Sequence, residues 1–320
     1  EIADRDWSSD VCSSDLRAWL HELRFPSSGQ SVHFHLRHQC VGFNEANMQL
    51  EFEHRDTGKV TVQADVIVMA MGGASWPKLG SNGHWQSWLK DKNYLVHPLE
   101  ASNCGFEVKT PWTSFINPKY AGAALKSVAL ELQFNQTEKF YKKGEFIITP
   151  TGIEGSLIYA AAAFIKQVIH QQGHATVGIN LLPDMSYEKV LDALMQNKGS
   201  KSFSNHLKSR LGIEGVKAAL LFEVLNKEQL KDLPLVAKTI QFLPLVLLKP
   251  RPIEEAISSS GGLCLEQLSS DLSAQKNPSL FFAGEMLDWD APTGGYLLTA
   301  CLASGVRVAN GVFSSFLSAS

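Results

Sequence analysis

The sequence predicts an α/β protein in which a domain built on a buried sheet is split by an inserted β-plus-α domain. Three observations carry this. The apolar runs "ADVIVMAMGG" and "SLFFAGE" lie far apart in the chain, and each ends in glycine. Continuous apolar runs of this length read as strands buried on both faces, as in a parallel sheet. After Pro98 the texture changes to alternating strands, and residues 186–242 have helix-forming composition with few glycines. The simplest division is one α/β domain made of residues 17–98 and 250–320, with an insert over 99–249.

The elements follow in order. "RAWLHELR" reads as a short amphipathic helix and "SVHFHLRHQCVGF" as a strand. "MQLEFEH" and "KVTVQA", joined at Asp56-Thr57-Gly58, read as a hairpin. "SNGHWQSWLKDKNY" reads as a helix with Ser81 or Asn82 near its N-cap. In the insert, "SNCGFEVKT", "KSVALELQF", "KFYKKGEFIIT" and "HATVGINLLP" are strands. "GSLIYAAAAFIKQVIHQQ" is an Ala-rich helix stopped by Gly173. "PLVLLKP" and "AISSSGGL" lead back to the first domain, and a long helix from Gly295 to about Phe316 closes the chain.

Composition excludes several classes. The 320 residues are 44% hydrophobic and 19% charged, as expected of a globular protein of about two domains. A net charge of -3 leaves no basic footprint, so nucleic acid is not a favoured partner. "DVIVMAM" and "LIYAAAAFI" are far shorter than the ~20 residues of a spanning helix, so no membrane partner is expected. Cys12, Cys40, Cys104, Cys264 and Cys301 are too scattered for a zinc site or a disulfide framework, and the histidines form no metal-spaced set. A reducing cytoplasm is the natural compartment. Residues 1–16 show no helical or strand period, and Asp6 to Leu16 resembles a translated sequencing-library adapter. A disordered Ser/Asp tail is the alternative.

The stretch "LFFAGEMLDWDAPTGGYLLTACLASG" carries the most chemistry. In doubly wound sheets ligands sit outside the carboxyl ends of strands. Glu285 stands at such an end, where a carboxylate accepts charge-assisted hydrogen bonds from sugar or ribityl hydroxyls. Gly294-Gly295 then opens a helix whose first amides are unpaired and carry the positive end of the dipole. That locus suits an electron-rich ring edge such as N1 and O2 of a flavin. Gly72-Gly73 and Gly284 would let a ligand approach the backbone. The bland alternative is an ordinary β-loop-α unit with tight turns and an exposed Glu.

These motifs resemble those of the BaiN/YhiN-like bacterial flavoproteins, also called aminoacetone-oxidase-family or NAD(P)/FAD-dependent oxidoreductases. "FFAGEMLDWDAPTGGYLLTACLASG" is similar to the family's C-terminal signature and "ADVIVMAMGGASWPKLGSNG" to its central glycine motif. "TGIEGSLIYA" and "LLKPRPIEEAISSSGGL" are similar to segments within and flanking its insert. The resemblance runs from about Arg17 to the C-terminus. It implies a discontinuous glutathione-reductase-like FAD-binding domain with Glu285 on the ribityl chain and Gly72-Gly73 beside the cofactor. It also implies that the amides of Gly294, Gly295 and Tyr296 face the isoalloxazine, with Thr293 and Gly284 among the cofactor-binding residues. The cofactor is then FAD, with NAD(P)H a candidate external donor and a small molecule as substrate. Many members carry a His and a "SGP" run where this chain has residues 149–156, "TPTGIEGS", so substrates of other branches do not transfer.

No G-x-G-x-x-G fingerprint occurs anywhere in the chain. The family carries it before the region that begins here at Arg17, so an N-terminally truncated chain with weak FAD binding is expected. No acid or base can be named. Cys104 reads as a buried cysteine or a redox thiol, and Cys301 as packing. His84, Trp289 and Tyr296 stand near the cofactor motifs. Arg251 would meet an anionic substrate or pair with Glu254 or Glu255. The rival reading is a flavin-binding module in RNA modification or binding, without small-molecule turnover. It needs a positive stripe from Lys139, Lys142, Lys143, Lys201, Lys208 and Arg210.

Overall fold

The computed structural model describes residues 9–26, 32–134 and 137–319. They fall into two compact units, Glu1–Ile67 and Val68–Ser320.

The first unit holds α1 (Ser9–Arg24) and a meander of β1 (His38–Asn44), β2 (Gln49–His54) and β3 (Gly58–Gln63). The predicted hairpin forms with His54 opposite Gly58, and Gly58 takes φ 76 at the turn. Among the described residues the three strands form a sheet of their own, and this unit ends inside the span 17–98 that the sequence groups as one domain. The helix begins at Ser9 rather than Arg17. Once "RAWLHELR" is helical, extension toward the N-terminus adds one hydrogen bond per residue. The rest of the 1–16 segment, residues 1–8, lies outside the described residues.

In the second unit β4 (Ile67–Met69) leads to α2 (Trp85–Asp91), β5 (Val96–Ser102) and β6 (Phe106–Val108). The α2 N-cap is His84, whose amide donates to Asn82 Oδ1 at 3.1 Å. A closed barrel follows. It contains β6, β7 (Ala124–Gln133), β8 (Lys139–Ile148), β9 (Gly152–Glu154), β10 (Ala175–Asn180) and β11 (Leu243–Pro250), in the order β10-β11-β6-β9-β8-β7. Alternation along these strands sends Leu125, Leu130, Phe146, Ile148, Val177 and Leu247 into one core.

Helix α3 (Ser156–Gln172) packs Ala161, Ala162 and Ile165 on that core and ends at Gly173, whose φ of 77 closes the helix in the left-handed region. Then come α4 (Tyr187–Met195), α5 (Phe203–Leu211), α6 (Gly215–Val224) and α7 (Leu233–Gln241). The side chains of Ser186, Ser202 and Asp232 cap α4, α5 and α7.

β12 (Ser258–Leu263) returns to pair antiparallel with β5. β13 (Ser273–Ala274) and β14 (Asn277–Phe282) form a sheet of order β13-β14-β4. Burial of "VIVMAM" on both faces is not found. The strand is three residues long and Val68 is 48% exposed, so one face meets solvent. The last helix is α8 (Tyr296–Ala319). Its segment Tyr296–Ser315 is long and apolar enough to cross a membrane by length and composition, and 6% of that window is buried. Thr299, Ser304, Gly305, Arg307 and Asn310 interrupt it, so no contiguous apolar run marks it in the sequence.

Candidate functional site

The tip of β14 builds the site. After Ala283 the chain turns at Gly284–Met286, with Gly284 at φ 83. Glu285 Oε1 accepts the Ser259 amide of β12 at 2.8 Å. The hydroxyl of Ser259 in turn accepts the Ala74 amide at 2.8 Å, which draws in the loop after β4. A Cβ on Gly73 would fall inside the Ser259 side chain and 3.0 Å from Glu285 Cδ, so glycine is required by close approach. Gly72 sits at φ 70, and its carbonyl accepts Trp85 Nε1 at 2.9 Å. The Gly284 amide donates to Ser304 Oγ of α8 at 2.9 Å.

Gly72, Gly73, Gly284 and Glu285 are thus brought together by Ser259, Trp85 and Ser304, none of which the sequence singles out. The triple serine in "AISSSGGL" was the available signal. Thr293, Gly294, Gly295 and Tyr296 form a second, exposed group at the mouth of α8. Gly294 and Gly295 take φ 113 and 86, which only glycine adopts freely. Among the described residues no hydrogen bond joins this group to Gly72, Gly73 or Glu285.

Between the turn and α8 lies a cavity of about 400 Å³ lined by Gly284, Glu285, Trp289, Cys301, Ser304 and Arg307. Three observations fit a flavin with its ribityl chain. Glu285 has one carboxylate oxygen committed to Ser259, which leaves the other for a hydroxyl. The buried Ser81 hydroxyl, 3.1 Å from where a Gly72 Cβ would stand, has no partner. Open space also surrounds Gly284 and Gly295.

The loop from Glu285 to Gly294 is pinned by a polar network. Asp290 accepts from the Ser102 hydroxyl and from Lys166 Nζ of α3, the latter at 3.2 Å. Lys166 Nζ also donates to Ser260 Oγ at 3.0 Å, and Asn103 Nδ2 donates to Ala291 O at 2.8 Å. Sequence reading missed this network, although a lone lysine following "AAAAFI" was a sign of it.

The remaining candidates resolve as follows. Cys104 is buried, its thiol donates to Ala101 O, and burial pushes its pKa up to about 11. That is the chemistry of an inert packing thiol. Cys301 lines the cavity; burial, then the Glu285 charge, raises its thiol pKa. Arg251 is held by Glu255 at 2.7 Å and by Glu107 at 3.0 Å, so it pairs within the protein. His84, the N-cap of α2, is exposed. In the lysine stripe, Lys139 pairs with Glu131, Lys143 with Asp184 and Lys208 with Glu214. The cysteines and histidines carry no metal-ligand spacing along the sequence, and the fold brings His97, Cys264 and Asp288 together from distant positions.

A glycine-ended strand, a carboxylate at its tip, a pinned loop and a glycine pair opening a helix are parts of a Rossmann-type α/β domain. Residues 8–311 match the family described as HI0933-like protein Rossmann domain, and the chain belongs to this family. Over 247 residues it is 25% identical to the Escherichia coli (strain K12) protein named ribosomal RNA dihydrouridine synthase, covering 75% of this chain and 59% of that one. The chain therefore spans about three-fifths of the length of that curated relative. Among solved structures it is similar to 3-ketosteroid delta1-dehydrogenase from Sterolibacterium denitrificans in complex with 1,4-androstadiene-3,17-dione. That match has a TM-score of 0.40 and 11% identity over 87% of this chain and 59% of that one. It is also similar to the open conformation of a flavocytochrome c3 fumarate reductase, with a TM-score of 0.32 and 13% identity over 86% and 51% of the two chains.

Proposed function

We propose that this chain holds the isoalloxazine and ribityl part of FAD in an oxidoreductase that acts on a small molecule in the cytoplasm, with NAD(P)H as external donor. The observation that carries the reading is the Gly73–Ser259–Glu285 cluster, which fixes one oxygen of Glu285 and leaves the other for a ribityl hydroxyl. When bound, the flavin supplies the electron or hydride transfer itself. Glu285 would accept a hydrogen bond from a ribityl hydroxyl through the carboxylate oxygen that Ser259 leaves free. The first amides of α8 offer dipole stabilisation to negative charge at the ring edge. The Lys166–Asp290 pair holds the loop in place between them. The barrel and its helices cap the substrate side.

The test is a flavin titration followed by fluorescence. The sequence has no G-x-G to cradle phosphates, so riboflavin and FAD should bind this chain with affinities within about tenfold of each other. Glu285→Ala should weaken both. Failure of both flavins to bind at any accessible concentration would sink the reading.

A second reading rests on the likeness to a protein named ribosomal RNA dihydrouridine synthase. Here the reducible ring would be a uracil in RNA. The net charge of -3 and the three paired lysines argue against a strong backbone grip. A salt-dependent mobility shift on an rRNA fragment would favour this reading, and no shift at low salt would remove it.

A further inference from the structure

His97 at the start of β5, Cys264 just past β12 and Asp288 in the loop beyond Glu285 converge on one point, with one ligand atom from each within 4.8 Å of the others. Cys264 Sγ lies 3.6 Å from His97 Nδ1 and 3.7 Å from its Nε2. Asp288 Oδ2 lies 2.7 Å from Nδ1. Being equidistant from both nitrogens, the sulfur cannot be aligned with either ring N–H direction. This is poor geometry for a histidine that activates a thiol.

The sulfur–nitrogen spacing is that of two ligands on one cation. With Zn–S about 2.3 Å and Zn–N about 2.0 Å, a tetrahedral ion spaces sulfur and nitrogen about 3.6 Å apart. Thiolate, imidazole and carboxylate are together a donor set for a borderline-soft divalent ion, and hard ions such as magnesium do not favour it. The backbone already fixes the three residues. The Cys264 amide donates to Leu95 O at 3.1 Å and the Asp288 amide to Leu263 O at 2.9 Å. An entry path exists, since the thiol is buried while the His97 side chain is 56% exposed.

We infer that His97 Nδ1, Cys264 Sγ and Asp288 Oδ2 form a binding site for a divalent ion of the zinc class, with its fourth vertex open to solvent. The ion replaces the proton shared by Nδ1 and Oδ2 at 2.7 Å, and these two atoms move apart by about 0.6 Å to admit it, because bonds of about 2.0 Å at a tetrahedral angle set them about 3.3 Å apart. The ring proton then resides on Nε2, and the thiol proton is released to solvent. The site clamps the loop that carries Asp288 and Asp290 to β5 and β12, so occupancy stiffens the segment joining Glu285 to Gly294.

The experiment uses the whole chain and cobalt(II) as a spectroscopic stand-in for zinc. Equilibrium dialysis should find one equivalent bound. Visible spectra should show tetrahedral cobalt bands with a thiolate-to-cobalt charge-transfer band. Cys264→Ser should abolish the charge-transfer band. His97→Ala should lower affinity at least tenfold, and Asp288→Asn should lower it less. A charge-transfer band that persists in Cys264→Ser, or no cobalt binding by the wild-type chain, overturns the proposal. If a variant fails to fold, the wild-type protein still decides it. Zinc should slow alkylation of Cys264 at least tenfold, read by peptide mass spectrometry, and an unchanged rate overturns the proposal.

Discussion

Lys166 Nζ lies 3.2 Å from Asp290 Oδ2 and so ties an Ala-rich helix of the barrel region to the loop between Glu285 and Gly294. Lys166 is 6% exposed, whereas the Asp290 side chain retains about a third of its exposure. Removing the cation leaves a half-buried carboxylate without its partner. Lys166→Met should therefore destabilise the second unit by about 1–3 kcal/mol, less than the ~3–5 of a fully buried pair broken on one side. Urea midpoints measure this. Adding Asp290→Asn should recover part of the loss, because the stranded charge goes with it. A double mutant whose loss equals the sum of the single losses would deny the coupling.

Gly73→Ala places a methyl group against Ser259 and Glu285 at the tightest point of the cluster. Overpacking of this kind costs about 1–3 kcal/mol. It also pushes on the carboxylate that the Ser259 amide holds. The expected result is a lower melting temperature together with weaker flavin quenching. Gly58→Ala, at a turn with open space and φ 76, should cost about 1 kcal/mol and leave flavin affinity unchanged. Equal flavin effects from the two substitutions would show that Gly73 acts only through stability.

Much of this architecture was legible because its signals are local. The β2–β3 hairpin follows from alternation and an Asp-Thr-Gly turn, and α3 from an alanine run closed by glycine. The order strand, Glu285, loop, Gly294-Gly295 and helix is likewise contiguous. What escaped was every relationship made by distant residues. Ser259 lies 26 positions from Glu285, Lys166 lies 124 from Asp290, and His97 lies 167 from Cys264. Spacing in sequence cannot reveal such pairs, because the barrel between β5 and β12 decides which loops meet. The exposure of Val68 escaped for a related reason, since an apolar run reports affinity for a covering layer and not its presence.

Cys104 gives a prediction for alkaline pH. Its folded-state pKa is raised from 9.0 to about 11, chiefly by burial. The folded state therefore holds the thiol proton more tightly than the unfolded state. The sign follows: the contribution is complete below pH 9 and is lost as pH rises toward 11. The loss should amount to about 2–3 kcal/mol across that window. Comparing denaturation at pH 8.5 and 10.5 for wild type and Cys104→Ala isolates it, since the variant should show a shallower decline. At neutral pH, Cys104 should resist iodoacetamide until the protein unfolds.

Leu298, Leu302, Val306 and Phe313 are exposed on α8, and the first three follow one another at four-residue spacing. Residues four apart lie on one helical face, so these side chains form a continuous apolar stripe. A stripe of this kind is a site of association for proteins, lipids or a dye. The chain should bind a hydrophobic fluorophore strongly in its folded state and self-associate as concentration rises. Replacing Leu302 and Val306 with Lys should suppress both effects without lowering the melting temperature by more than a few degrees, because neither side chain belongs to the buried core. Sedimentation velocity across a hundredfold concentration range provides the measurement. A monomer throughout, with no dye binding, would mean that the stripe is covered in solution.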